Sequence, residues 1–196
     1  MQSQSESPSL ISSMMRAARL DASFYNEVEQ DTTRNGQALT VVIIAAAAGG
    51  IGGLLGGIIR GSFTSALMAM VLAVVMGIVG YYIWAYVTHF VGTRFFGGTA
   101  DTGELLRTLG FAYAPNVLGI FSFIPCVGPL IALVGAIWAL VAGIIAVREA
   151  LDFDTGKAVL TAIIGWLIIL IITFVLTAVL GVGAMGLSAL TGGLGG

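Results

Sequence analysis

The stretch Thr108 to Val147, TLGFAYAPNVLGIFSFIPCVGPLIALVGAIWALVAGIIAV, runs for 40 residues without a charged side chain. A helix needs only about 20 residues to cross a hydrocarbon core of about 30 Å, so this run is twice the length of one span. Near its middle stands Pro125-Cys126-Val127-Gly128-Pro129. Two prolines around a glycine stop a helix, because proline lacks the backbone N–H and its ring crowds the preceding turn. The run therefore reads as a hairpin of two membrane helices, residues 104–124 and 129–147.

Three further charge-free runs, Asn35 to Ile59, Gly61 to Thr93 and Ala158 to Gly196, hold 25, 33 and 39 residues. They supply spans at 38–59, 63–88 and 157–181, the second beginning after an Arg60-Gly61-Ser62 turn. Of the 196 residues 58% are hydrophobic and 9% charged, where a soluble domain carries about a quarter charged; the mean hydropathy is +1.02. A soluble enzyme is excluded. A membrane barrel would alternate apolar and polar residues in segments of about ten, whereas Ile163 to Leu176 is apolar on every side apart from one threonine. The fold class is an all-α integral membrane protein with five transmembrane helices. Residues 38–185 form the membrane domain, 1–15 a disordered polar tail, 16–37 a cytoplasmic amphipathic helix and linker, and 186–196 a glycine-rich tail.

Seven of the eight basic residues, Arg16, Arg19, Arg34, Arg94, Arg107, Arg148 and Lys157, fall on one side of such a bundle, and Arg60 alone on the other. Basic residues concentrate in cytoplasmic loops, so the N-terminus is expected inside and the C-terminus outside. Asp101-Thr102-Gly103-Glu104 has capping-box spacing, and Asp154 and Ser62 stand where helix N-caps belong. Before the first span, Leu20, Phe24 and Val28 recur at helical spacing with Tyr25 beside them. That pattern predicts a short amphipathic helix on the cytoplasmic membrane face or against the other cytoplasmic loops. The segment lacks the basic-apolar-cleavage order of a secretory signal.

The inventory for chemistry is short: one histidine, one cysteine, and ten carboxylates that all lie outside the charge-free runs. His89 and Cys126 fall on opposite faces of the membrane, so no metal site is expected. Gly181-Val182-Gly183-Ala184-Met185-Gly186 matches GxGxxG, but it follows a membrane helix instead of a strand. No catalytic residue, cofactor or nucleic-acid partner is expected. Coupled ion transport is disfavoured, since no ionisable group is placed within the bilayer.

Four features remain. Gly49, Gly52, Gly53, Gly56 and Gly57 give the first span overlapping GxxxG spacings, suited to close helix packing within the chain, to a second copy or to another membrane protein. Tyr82, Tyr86 and His89 share a face of the second span, which reads either as an interfacial aromatic belt or, with Pro115 and Asn116 of the third span, as a lipid or ligand cleft open to the cytoplasm. Pro115 is expected to kink its helix by depriving the Phe111 carbonyl of a donor. Arg94, Asp101, Glu104 and Arg107 face Arg148 and Asp152 across the cytoplasmic loops, where ion pairs are expected, Arg148 and Asp152 being spaced i,i+4.

Several stretches in this order resemble the Yip family (Ypt-interacting-protein domain), in a short bacterial or archaeal-type member. They are Phe24-Tyr25-Asn26-Glu27-Val28-Glu29-Gln30-Asp31, Gly92-Thr93-Arg94-Phe95-Phe96-Gly97-Gly98, and Glu104-Leu105-Leu106-Arg107-Thr108-Leu109-Gly110-Phe111-Ala112-Tyr113-Ala114-Pro115. Ile137-Trp138 and Ala146-Val147-Arg148-Glu149-Ala150-Leu151 fit the same resemblance, which covers about 24–180. It implies five helices and a cytoplasmic N-terminus. Eukaryotic relatives bind Rab-type GTPases, but the aspartate-leucine-tyrosine-glycine-proline stretch that they carry ahead of the first span is missing here, so Rab-type GTPase binding is not carried over.

Two functions stay open. The first is a non-enzymatic membrane scaffold or adaptor, engaging membrane or cytoplasmic protein partners or a second copy, integral to the cell membrane if the source is prokaryotic. The second is a lipid-handling or small-solute transport protein with a cytoplasm-facing cleft.

Overall fold

The computed structural model describes residues 9–192, so positions 1–8 of the expected polar tail and 193–196 of the glycine-rich tail lie outside the described residues. Among the described residues the chain is helical throughout: α1 (Leu10–Ala18), α2 (Ala22–Gln30), α3 (Asn35–Ile59), α4 (Phe63–Phe96), α5 (Thr102–Ala112), α6 (Gly128–Ala150) and α7 (Thr155–Gly192). Short 3-10 segments occupy Thr32–Arg34 and Ala114–Phe123. Four helices, α3, α4, α6 and α7, are long and apolar enough to cross a membrane. Large apolar side chains such as Met68, Val71, Leu130, Val134, Ile171 and Phe174 stand exposed along them. That is the surface expected where lipid replaces water as solvent.

The expected helix over 104–124 is not continuous. The α-helix stops at Ala112, and Tyr113 and Asn116 donate to Gly110 and Tyr113 in the i→i+3 pattern. Pro115 is the cause: it offers no N–H to Phe111 and its ring crowds the α-helical turn. The backbone then proceeds as ten residues of 3-10 helix, whose rise per residue is about 2.0 Å against 1.5 Å in an α-helix. This tighter, longer winding keeps it beside α3. A methyl group at Gly110 would meet Ala38, one at Gly119 would meet Gly49, and one at Gly56 would lie 3.5 Å from the Phe123 Cα. From Ala38 to Gly56 an α-helix advances about 27 Å, and from Gly110 to Phe123 the mixed backbone advances about 25 Å, so the two travel side by side in one direction.

The turn after Phe123 is as expected. Ile124 leaves the helical region, Cys126 takes φ 65°, and α6 starts at Gly128 with Pro129 in its first turn. Gly128 is required there, because a Cβ would lie 2.5 Å from the Phe121 carbonyl oxygen.

The N-terminal region departs from expectation. Instead of a tail over 1–15 and one helix to Gln30, residues from Leu10 onward are helical and a break separates two helices. Leu20 sits at φ 62° in the break. Ser9 and Asp21 cap the two helices, their side chains accepting from the amides of Ser12 and Phe24. Capping at Asp21 restarts the chain in a new direction. Phe24, Tyr25 and Val28 are fully buried, with the Phe24 ring edge-on to Phe111 at 5.1 Å and the Tyr25 hydroxyl donating to the Ala17 carbonyl. The apolar face of the pair thus closes the core formed with Leu105, Leu109, Val147 and Leu151.

Of the three expected caps, Asp101 forms both halves of its box with Glu104, at 2.8 Å each, and Asp154 accepts from the Lys157 amide at 3.1 Å. Ser62 makes no side-chain cap; its carbonyl accepts from Ala66 and Ser65 instead.

Candidate functional site

The five glycines divide by direction. Gly52 and Gly56 turn toward the 3-10 segment, where a Cβ on Gly52 would lie 2.5 Å from both the Gly119 carbonyl oxygen and the Ser122 hydroxyl. Gly57 presses against Ala66 of α4. A methyl group at Gly49 or Gly53 would meet nothing within 4 Å among the described residues, and with Gly57 these two line a groove of about 460 Å³ between α3 and α4. Ala69 and Ala73 form its other wall, and Arg60, Ser62 and Ser65 its end. One stripe therefore serves two ends: part holds the fold together, and part is left open.

The expected aromatic cleft does not assemble from the residues expected. Tyr86 is exposed and His89 half-buried, whereas Tyr82 packs on Tyr81 at 4.9 Å and lines a separate space of about 310 Å³ with Asn35, Leu39 and Leu106. The inward face of α4 carries Tyr81, Trp84 and Thr88 instead. Tyr81 donates to the Leu106 carbonyl at 2.7 Å. Trp84 lies between α6 and α7, its ring against the bare backbone of Gly143 on one side and Gly165 on the other. Pro115 and Asn116, adjacent in sequence, border different spaces. Pro115 shares one of about 220 Å³ with Ala18, Leu118 and Trp138, whose indole donates to the Ala18 carbonyl at 2.8 Å. Asn116 lines one of about 110 Å³ with Trp84, Tyr113, Leu140, Trp166 and Ile169. The sequence does not single out Trp84, Tyr113 and Trp166, because nothing in an apolar helix marks which of its aromatic residues face inward.

The expected ion pairs among Arg94, Asp101, Glu104, Arg107, Arg148 and Asp152 do not form among the described residues. Arg148 bonds its sequence neighbour Glu149 at 2.5 Å. It does not reach Asp152, because α6 has ended at Ala150 and Asp152 turns to φ 54° and accepts from Thr99. Asp101 and Glu104 are engaged in the capping box. Arg107 is buried, and its guanidinium donates to the backbone carbonyls of Val28 and Glu29 and to the Asn35 side chain. Those carbonyls belong to the last turn of α2, where acceptors lack i+4 partners, Val28 keeping only the Asp31 amide, and a cation meets the negative helix end. Arg107 is thus a clasp between α5 and the N-terminal pair.

Around this clasp the carboxylates behave unequally. Asp21 is held down at about 2 by hydrogen bonds from Ser23 and Arg16, and Glu27 is lowered by its bond to Arg16. Glu29 is pushed up to about 7, first by burial and then by the negative charges of Asp152 and Glu104.

Compared with known proteins, the chain matches the family model described as Yip1 domain over residues 21–189. No curated protein and no solved structure matches it.

Proposed function

The chain belongs to the Yip1-domain family, and on that footing we propose that this multi-pass membrane protein is a non-enzymatic scaffold whose open glycine groove receives a helix of a membrane partner. The observation that carries the reading is that Gly53, and Gly49 beside its contact with Gly119, line a groove in which a side chain on either would meet nothing among the described residues. Bare backbone at one helical spacing lets a second helix approach closely, where van der Waals contact drives association in lipid. A heterologous membrane helix and a second copy of this chain would both use that surface.

Five crossings belong to the same proposal. The matched advance of α3 and of the segment from Gly110 to Phe123 supports a third crossing made half of α-helix and half of 3-10 helix. The seven-to-one distribution of basic residues supports a cytoplasmic N-terminus and an outward C-terminus. The clasped α1–α2 pair then forms the cytoplasmic end, the side from which soluble partners would approach. In a prokaryote the membrane would be the cell membrane.

The test is crosslinking in native membranes from Ala69→Cys on the facing wall of the groove, with the natural Cys126 changed to Ser, followed by identification of the adduct. A membrane-protein adduct, or a dimer, that Gly53→Leu abolishes supports the groove. A pattern of adducts unchanged by Gly53→Leu removes it.

A further inference from the structure

Asn116 is an amide at membrane depth whose side chain makes no hydrogen bond to the described residues, in a cavity that no charged side chain lines. The ring of Trp84 borders the same cavity, and its indole N–H, turned toward Gly165, is fully inside the protein without an acceptor among the described residues. Such groups are costly where no water competes to satisfy them, and they are kept at membrane depth mainly for use. Trp84 lies 12 residues from the cytoplasmic end of α4, Leu140 ten from that of α6, and Trp166 eleven from the start of α7. At 1.5 Å per residue the cavity is about 15–18 Å inside the ends of those helices.

Its walls differ in exposure. Trp84 and Ala139 are buried, whereas Ala136, Leu140, Trp166 and Ile169 are half-exposed on the facing edges of α6 and α7. The space therefore opens sideways, between two helices whose neighbouring surface residues Leu133, Ile137, Leu167 and Leu170 are exposed and apolar. A ligand enters from the bilayer, not from water.

We propose that this cavity is a lateral binding site for an uncharged, hydroxyl-bearing lipid. Its volume of about 110 Å³ is several times the space that one water requires. A hydroxyl can donate to the Asn116 carbonyl oxygen and accept from its amide, while the faces of Trp84, Tyr113 and Trp166 pack against the attached carbons. A phosphorylated headgroup is disfavoured: it would leave the interface for a depth with no cation to receive it. Diacylglycerols and isoprenoid alcohols share the required chemistry, an alcohol on an apolar chain. The site is distinct from the groove at Gly53 and does not depend on a protein partner.

The protein has three tryptophans, and two of them line the cavity, so fluorescence reads it directly. A Trp138→Phe form leaves only Trp84 and Trp166. In phosphatidylcholine nanodiscs, diacylglycerol with brominated chains should quench this form at a mole fraction at least about fivefold lower than brominated phosphatidylcholine or phosphatidylglycerol. Unlabelled dioleoylglycerol, geranylgeraniol or both should relieve the quenching, and which of them does so tells glycerolipid from isoprenoid alcohol; squalene, without a hydroxyl, should not. Asn116→Leu should remove the preference, as should Ala136→Phe at the mouth, should the first variant fold poorly. Equal quenching by all brominated lipids, relief by squalene, or a preference that survives in both variants would overturn the proposal.

Discussion

Arg107 holds the peptide carbonyl of Glu29 while Oε2 of that residue's own carboxyl stays buried without a partner. The cation clasps the end of α2 and does not neutralise the acid beside it. Two consequences follow, one for the clasp and one for the acid.

Removing the clasp should loosen the N-terminal pair before it disturbs the membrane helices. Arg107→Ala leaves the Glu29 carbonyl and Asn35 without this donor and the Val28 carbonyl with the Asp31 amide alone, and an unsatisfied buried acceptor costs about 1–3 kcal/mol. Hydrogen exchange of the α2 amides should accelerate about 10- to 100-fold, with the amides of α6 unchanged. Uniform acceleration through α6 would mean that Arg107 supports the whole fold instead.

Docking of α2 should also weaken as pH rises through neutrality. Glu29 has its folded pKa raised from 4.5 to about 7, so the docked state favours the protonated acid. Stability is therefore greatest below the unfolded pKa and declines between about pH 4.5 and 7, levelling off above. The charges that act on it are the carboxylates of Asp152, Glu104 and Glu149, with Arg107 on its own carbonyl, Arg148 beside Glu149 and Arg34 in the following 3-10 turn. Arg107, Arg148 and Arg34 are engaged elsewhere. Because the group is partly solvated, the expected loss of α2 protection between pH 6 and 8 is about three- to tenfold after correction for intrinsic exchange. Glu29→Gln should flatten it, and a wild-type profile without slope would refute the assignment.

Much of this architecture can be read from short-range chemistry. The break at Pro125 to Pro129, the box of Asp101 with Glu104 and the cap at Asp154 all depend on residues within four positions of one another. What is illegible in the sequence depends on distant partners or on an absence of contrast. Leu20 adopts a left-handed conformation that glycine would have announced. The 3-10 winding after Pro115 persists because α3 offers Gly49 and Gly52 along its length, not because of its own propensity. In a helix surrounded by lipid, apolar residues cover both faces, so its phase is hidden; hence the sequence leaves Tyr82 and Tyr86 open between an interfacial belt and a cleft and does not mark Tyr81 and Trp84 as the inward pair. Arg107 reads as an ion-pair residue until its carbonyl acceptors, more than seventy positions away, are seen.

The two directions of the glycine stripe should separate stability from association. Gly52→Leu forces a side chain into the Gly119 carbonyl and the Ser122 hydroxyl, and overpacking of this kind costs about 1–3 kcal/mol or more. Its thermal midpoint in detergent should fall by several degrees. Gly53→Leu meets open space and should leave the midpoint within about a degree while it fills the groove. Equal destabilisation by both would show that the groove is closed in the membrane.

Topology can be tested with the one cysteine that the chain already has. Cys126 is exposed in the turn between the 3-10 segment and α6. Phe123, three residues earlier, lies against Gly56 at the Arg60 end of α3. With the N-terminus inside and a third crossing complete, that end faces outward. A membrane-impermeant maleimide added to intact cells should then modify Cys126, and a Cys126→Ser control should stay unlabelled. Introduced at Ser23, beside Arg16 and Asp21 at the opposite end, a cysteine should react only after the membrane is opened. The reverse pattern would invert the orientation. Protection of both positions in intact cells would mean that Cys126 does not emerge on the far side, and that the segment broken at Pro115 enters the bilayer without crossing it.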